Sequence, residues 1–142
     1  MGTGPDEKAI EEMIISKGLN ENIKLIGFQN NPYAYMEKAD LFILSSLWEG
    51  FGHVIVEAMA CGTPVVSTDC PHGPNEILEN GKYGWLVSND DLDKLTSTLS
   101  KLLDNPTEVK QMANNVCARA RDFDIQYITQ EYEKVFSQMK RI

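Results

Sequence analysis

Two glutamates, Glu49 and Glu57, stand with seven residues between them in a mostly apolar segment, Trp48–Val66. The stretch around Glu57 reads VIVEAMA, which predicts a helix that is apolar on nearly every side and therefore buried. An unpaired buried charge is costly, so the Glu57 carboxylate needs a partner. Helical side chains tilt toward the helix N-terminus, so this carboxylate could meet a ligand donor there. A neighbouring backbone amide or a lysine is the alternative partner.

The turn before this helix has the composition of an anion site, because Gly50 and Gly52 flank Phe51. Glycine lets the backbone approach a ligand closely. The first N–H groups of a helix lack internal partners, and the helix dipole adds about +0.5 of a charge there. A phosphate group fits such a site. A tight strand-to-helix turn without a ligand is the alternative.

The position of Glu49 in the loop before the turn allows it to accept hydrogen bonds from sugar hydroxyls or to stabilise positive charge at a reacting carbon. A solvated loop acid is the alternative reading. Acids on both sides of a phosphate-attracting turn would repel phosphate unless they face hydroxylated groups. The arrangement therefore suggests a ligand with sugar on both sides of a diphosphate, which is a nucleotide sugar.

The elements that must position these residues alternate between strands and helices. Strands are predicted at Ile23–Phe28, Leu41–Leu44, Pro64–Asp69 and Gly84–Ser88, and the continuous apolar run Leu41–Leu44 predicts a strand covered on both faces. The alternation predicts an α/β fold with a Rossmann-like parallel sheet flanked by helices, in one domain over residues 1–142. Ligands bind at the carboxyl ends of such strands, where we expect the loops Ser45–Gly52, Asp69–Asn75 and Gln29–Asn31.

The helices are predicted from apolar periodicity and end signals. They cover Asp6–Lys17, Tyr33–Lys38, His53–Cys61, a turn at Glu76–Glu79, a helix capped by Asp90 or Asp91, a helix capped by Asn105, and Gln126–Lys140. Gly18 and Gly62 are the predicted stops of the first and third. The predicted apolar stripes are Leu92, Leu95, Leu99, Leu102 and Leu103; Val109, Met112, Ala113, Val116 and Ala120; and Ile128, Tyr132, Val135, Phe136 and Met139.

Composition excludes several classes of function. A net charge of −8 argues against nucleic acid and against an anionic membrane surface as partners. Cys61, Cys70 and Cys117 match no zinc spacing and are predicted to be buried free thiols in a reducing cytoplasm. Asp91-Leu92-Asp93 has a metal-binding spacing, but its place at a helix start favours capping.

A longer set of motifs resembles the family 4 glycosyltransferases of the GT-B fold. The segment SLWEGFGHVIVEAMACGTPVVSTD is similar to their donor-binding signature, with Glu49 and Glu57 as the E-x7-E pair, and GPNEIL and GKYGWLV follow as they do in the family. The resemblance identifies the chain as the C-terminal nucleotide-sugar-binding domain of a retaining enzyme.

By this resemblance, Glu57 would hold the ribose hydroxyls, and Glu49 would contact the donor sugar near the reaction centre as the catalytic residue. Gly52, His53 and Val54 would hold the diphosphate next to Phe51, and Phe28 and Gln29 would lie by the base. The resemblance implies a hexosyl- or N-acetylhexosaminyltransferase of cell-surface glycan synthesis that uses a UDP- or GDP-linked sugar and a glycan or lipid-linked acceptor. It implies neither cofactor nor metal, and a cytoplasmic location, peripheral at the inner face of the membrane.

The chain departs from the family pattern before Gly2. The resemblance implies two earlier strands, an arginine and a lysine for the diphosphate, and an N-terminal acceptor domain, none of which this sequence contains. Within Trp48–Pro64 only His53 could be basic. We therefore expect weak donor binding and no transfer by this chain alone, with exposed strand edges favouring self-association. The alternative is a non-catalytic nucleotide- or sugar-binding module, or an interaction fragment, with the same fold.

Overall fold

The computed structural model describes residues 2–139 of the chain. They fall into two compact units, residues 2–35 and 36–139. The site predicted around Glu57 lies in the second unit, and the predicted base contacts Phe28 and Gln29 lie in the first. The single domain predicted over residues 1–142 stays a prediction.

The first unit is built on helix α1, Glu7–Ser16, which agrees with the predicted helix Asp6–Lys17 to within one residue at each end. Gly18 ends it with a φ of 67°, a backbone conformation that glycine adopts without strain. Ile14 is its buried residue. A short helix, α2, covers Tyr33–Met36 and ends two residues before the predicted end at Lys38.

The strand predicted at Ile23–Phe28 is wrong, because this segment is irregular in the structure. A strand exists only through ladder hydrogen bonds to a neighbour, and the sheet of residues 2–139 does not include this segment. One bond joins it to the chain start, from the Gly2 N–H to the Gly27 carbonyl at 2.8 Å. Ile23 and Leu25 remain 44% exposed each.

The second unit contains a three-stranded parallel sheet in the order β1-β2-β3, formed by Phe42–Leu44, Val65–Thr68 and Trp85–Val87. Phe42 lies opposite Val65, and Val66 lies opposite Trp85. Every residue of β2 is buried, as a central parallel strand requires. The predicted Rossmann-like parallel sheet flanked by helices is therefore confirmed. Ile43 is 46% exposed, so the prediction that this strand is covered on both faces is wrong there.

Helix α3 covers His53–Ala60 and follows β1 as predicted. Gly62 ends it with a φ of 81°. The N–H of Gly62 donates to the Met59 carbonyl and the N–H of Thr63 donates to the Ala58 carbonyl, each at 3.0 Å. These two bonds form a Schellman motif, which satisfies the last carbonyls of the helix and turns the chain toward β2.

The remaining helices are α4 (Pro74–Ile77), α5 (Leu92–Asp104), α6 (Pro106–Ala120) and α7 (Ile125–Met139), with a 3₁₀ turn at Arg121–Phe123. α4 begins two residues before the predicted turn at Glu76, since Pro74 suits the first helical position. Asp91 caps α5 by accepting from the Lys94 N–H at 2.8 Å, and Asn105 caps α6 as predicted.

Two hydrophobic clusters form the core of the second unit. The larger lies between α3, α4 and α6 and includes Met36, Ile55, Ala58, Met59, Val65, Ile77, Leu78, Val116 and Ala120. The smaller packs α5 against the sheet through Val66, Val87 and Leu102. The core therefore holds α3, which carries Glu57, from several sides.

Three expectations about burial are corrected. Leu92 and Leu103 are 74% and 72% exposed, so only the middle of the predicted leucine stripe faces the core. Cys70 is buried, but Cys61 is half-buried and Cys117 is exposed, since α6 presents that position to solvent. The apolar face of α7 is exposed as well, with Tyr132 and Phe136 stacked at 6.2 Å between ring centroids. Lys140, the predicted end of α7, lies outside the described residues.

Leu102 and Leu103 offer a matched pair for testing which side of α5 supports the fold. Leu102 is 1% exposed and Leu103 is 72% exposed. We expect Leu102→Ala to lower the free energy of unfolding by about 2–5 kcal/mol, because it leaves a cavity in the core. Leu103→Ala should stay within about 0.5 kcal/mol of wild type. Urea unfolding followed by tryptophan fluorescence measures both, and equal losses would contradict the packing of α5.

Candidate functional site

The two loops that follow β1 and β2 meet at the carboxyl edge of the sheet. Gly73 of the second loop lies against the main chain of Phe51 in the first. A Cβ atom at Gly73 would lie 1.7 Å from the Phe51 carbonyl oxygen, and Gly73 has a φ of 106°. Only glycine fits both the space and the conformation. The loop after β2 therefore supports the back of the turn at Phe51.

The turn that leads into α3 presents N–H groups that lack an acceptor within the helix. Gly52 is the N-cap with a φ of 88°, and its carbonyl accepts from the Ile55 N–H at 2.8 Å. Side chains cap α5 and α6, but Gly52 has no side chain that could cap α3. The N–H groups of His53 and Val54 have no acceptor within the helix by their position. This geometry can bind an anion.

Glu57 lies one helical turn beyond this start and is half-buried on α3. Its neighbours Ala58 and Met59 are fully buried. Within residues 2–139 its carboxylate accepts no hydrogen bond and forms no ion pair. The alternative partner, a backbone amide or a lysine, is therefore not present in the described structure, and the carboxylate is free to accept hydrogen bonds from a ligand.

Glu49 is held by the loop after β1. The Ser46 hydroxyl donates to Glu49 Oε1 at 2.7 Å, and the Thr68 hydroxyl at the end of β2 donates to the Ser46 carbonyl. This chain of bonds ties the half-buried carboxylate to the sheet edge. Burial raises the pKa of the neighbouring Cys70 thiol, and the charge of Glu49 raises it further. Glu49 is thus fixed in place with one oxygen still available.

Aromatic contacts surround the turn from another side. The Phe51 ring lies 5.0 Å from the His53 ring and 5.7 Å from the Phe123 ring, centroid to centroid. Phe123 lies far along the chain, and sequence reasoning did not identify it. Gly73 was also missed, although the pair Gly73-Pro74 before a helix was a signal for a special backbone conformation.

The predicted base contacts lie in the first unit. Phe28 is 73% exposed. Gln29 donates from Nε2 to the Ile26 carbonyl and accepts from the Tyr35 hydroxyl at 3.1 Å. The structure thus brings six of the predicted residues together on one loop and helix of the second unit, namely Glu49, Phe51, Gly52, His53, Val54 and Glu57.

The described part of the chain holds neither a metal-binding cluster nor a membrane-spanning helix. Residues 2–139 contain no group of three or more His, Cys, Asp or Glu side chains placed to hold a metal ion. Asp91, from the metal-like Asp-Leu-Asp spacing, caps α5. Over the same residues, every helix is too short or too polar to cross a bilayer.

Comparison with known proteins gives matches over most of the chain. Residues 1–119 match the family model described as glycosyl transferases group 1. An uncharacterized glycosyltransferase of Methanocaldococcus jannaschii is 30% identical over 94% of this chain and 40% of its own length. A Campylobacter jejuni N-acetylgalactosamine-N,N'-diacetylbacillosaminyl-diphospho-undecaprenol 4-alpha-N-acetylgalactosaminyltransferase is 34% identical over 87% of this chain and 34% of its own length.

A solved structure is similar over nearly the whole chain. The Anabaena protein HepE, crystallised with UDP, superimposes with a TM-score of 0.83 and is 31% identical. The match covers 92% of this chain and 36% of HepE. This chain therefore spans two fifths or less of the length of each of these three relatives.

Substitution of Gly73 tests the contact between the two loops. Gly73→Ala forces its Cβ into the Phe51 carbonyl, so we expect a loss of more than about 2 kcal/mol in the free energy of unfolding. Gly50→Ala is the matched control, because no atom lies within 4 Å of a Cβ there. Thermal unfolding by circular dichroism measures both, and a neutral Gly73→Ala would contradict the close approach.

The charge of Glu49 can be tested through Cys70. Glu49→Gln removes a charge that raises the Cys70 pKa, so the thiolate fraction at pH 8 increases. We expect faster modification of Cys70 by a small thiosulfonate, measured by mass spectrometry of peptides. The exposed Cys117 serves as the internal control and should react at an unchanged rate. An unaltered Cys70 rate would place Glu49 too far away to act on the thiol.

Proposed function

The chain belongs to the glycosyl transferases group 1 family, and we propose that it supplies the donor-binding half of a glycosyltransferase. The complete enzyme transfers a glycosyl group from a nucleotide diphosphate sugar to a saccharide or lipid-linked acceptor in cell-surface glycan synthesis. The fold supports this assignment, because the parallel sheet flanked by helices is a partial Rossmann-like domain of the GT-B type.

The free carboxylate of Glu57 is the observation that carries the proposal. Glu57 is half-buried on an otherwise apolar helix, and its oxygens stay accessible to solvent and therefore to a ligand. Vicinal hydroxyls, as in ribose, donate hydrogen bonds to such a group without adding charge. The anion-binding turn begins one helical turn away, so one nucleotide could place its ribose on Glu57 and its diphosphate on the N–H groups of Gly52, His53 and Val54. We call residues Phe51–Val54 the phosphate-binding turn.

Glu49 is the proposed catalytic residue. The bond from Ser46 fixes one of its oxygens and leaves the other for the donor sugar. A carboxylate next to the anomeric carbon would stabilise the positive charge that develops as the bond to the diphosphate breaks. We propose a family 4 enzyme that retains the anomeric configuration and needs neither metal nor cofactor. Phe28 and Gln29 are assigned to the base by the family resemblance alone.

A UDP-linked sugar is the first donor to test, because similar HepE structures hold UDP and UDP-glucose. The Campylobacter relative is named for N-acetylgalactosamine transfer to a diphospho-undecaprenol glycan. A Mycolicibacterium hassiacum relative that is 36% identical is named for mannose transfer. The proposal therefore covers hexosyl and N-acetylhexosaminyl donors and a GDP link as well. A cytoplasmic enzyme, peripheral at the inner membrane face, would suit lipid-linked acceptors.

Electrostatics limit what this chain achieves alone. An exposed helix start contributes only about 0.3–1 kcal/mol toward an anion. The chain carries a net charge of −8, which opposes a diphosphate. We propose weak donor binding by the 142-residue chain, no transfer without the acceptor domain, and self-association through the sheet edge at higher concentration.

Titration with UDP, followed by amide NMR, tests the donor site. We expect the signals of Gly52, His53 and Val54 to move. Glu57→Gln should weaken binding by about 10- to 100-fold, because a charged hydrogen bond is lost. Glu133→Gln, an exposed acid on α7, is the matched charge control and should bind as wild type does. EDTA should leave the titration unchanged.

Two outcomes of that titration would contradict the proposal. If the amide signals of the phosphate-binding turn do not shift in the wild-type chain at saturating UDP, the donor site is contradicted. If Glu57→Gln and Glu133→Gln weaken UDP binding equally, the change in net charge explains the loss, and Glu57 has no specific role. In a chain that also carries an acceptor domain, Glu49→Ala should abolish turnover while UDP still binds. Unchanged turnover would favour the non-catalytic module.

A further inference from the structure

The geometry points to Arg119 as the positioning residue that holds the phosphate-binding turn in shape, although it contacts neither Glu49 nor Glu57. The identity of the ligand that binds this turn rests on the proposed function. The role of Arg119 rests on contacts within the second unit, which link α6 to the turn by two separate routes.

Arg119 uses its guanidinium to hold the end of α4. Nε donates to the Ile77 carbonyl at 3.0 Å and Nη2 donates to the Glu76 carbonyl at 2.8 Å. Nη1 is paired with Asp122 at 2.9 Å. The side chain is only 17% exposed. Bonds from a charged donor are stronger than neutral ones, so these contacts fix the short helix against α6.

The first route runs from α4 to the main chain of the turn. The Ile77 N–H donates to the Gly73 carbonyl at 2.8 Å, so one residue links Arg119 to Gly73. Gly73 in turn lies against the Phe51 carbonyl, with no room for a Cβ. A displacement of α4 would therefore move the surface on which Phe51 rests.

The second route runs through aromatic rings. The Arg119 guanidinium lies 4.7 Å from the centroid of the Phe123 ring. Phe123 packs edge-on against the Phe51 ring at 5.7 Å, and Phe51 contacts His53 at 5.0 Å. Main chain and side chain of Phe51 are thus held by two contacts that both depend on Arg119.

Lysine cannot replace this side chain. The two carbonyls of α4 and the carboxylate of Asp122 are bound by three different nitrogens in one plane, and lysine has a single nitrogen. These three nitrogens of Arg119 already donate to protein acceptors. Its effect on a bound diphosphate is therefore through the shape of the turn.

The test uses the ring protons of His53 in the 142-residue chain without ligand. The Phe51 ring shifts those signals because it lies beside them, so they report the position of Phe51. We expect Arg119→Met to move the His53 signals, assigned by their loss in His53→Gln. Arg121→Met removes the same charge from an exposed neighbour and should leave the signals in place. Circular dichroism checks that each variant is folded.

Arg119→Lys keeps the charge and serves if the methionine variant does not fold. We expect it to move the His53 signals as well, because one nitrogen cannot hold both carbonyls. A UDP titration then adds the ligand, and both Arg119 variants should weaken binding by about tenfold, because hydrogen bonds from the displaced turn to the charged diphosphate are lost. Arg121→Met should bind as wild type does.

Each result decides the inference. If a folded Arg119→Lys or Arg119→Met variant gives the same His53 signals as wild type, the positioning role is overturned. This holds whatever the result of the UDP titration. Equal changes in Arg119→Met and Arg121→Met also overturn it, since net charge would then explain them. A wild-type chain that does not bind UDP contradicts the proposed function instead, while the His53 signals still decide the role of Arg119.

Discussion

The main-chain contact between Gly73 and Phe51 is the constraint on which the site depends. It exists because parallel strands end at the same edge of the sheet, so that the loops after β1 and β2 are forced together. Glycine at position 73 lets the second loop support the first without an intervening side chain. The N–H groups at the start of α3 thereby gain a fixed direction, which a free loop could not provide.

The two acids reach the site by different means. Glu57 is placed by the regular geometry of α3, which the core holds from several sides. Glu49 lies outside regular structure and needs the hydroxyls of Ser46 and Thr68 to stay in place. A helix thus fixes the position of one carboxylate, and a hydrogen-bonded loop fixes the position of the other.

Local signals in the sequence predicted much of this arrangement. Gly62 marked the end of α3, Asn105 marked the start of α6, and the apolar run at Val65 marked the central strand, since each signal acts through neighbouring residues. Features that depend on distant residues were not predictable in the same way. Ile23–Phe28 has the composition of a strand but no pairing partner in the described sheet. Leu103 belongs to the predicted apolar stripe, but its side chain lies on the side of α5 away from the core.

The contacts of Arg119 belong to the same class, since no spacing along the chain relates it to Glu76 or Phe123. The free carboxylate of Glu57 has a different consequence. Because its oxygens are open to water in the unliganded chain, a ligand hydroxyl has to displace that water before it bonds to the acid. The affinity gained at this position is therefore the difference between two sets of hydrogen bonds, so it depends on how closely the ligand reproduces the directions of the displaced ones.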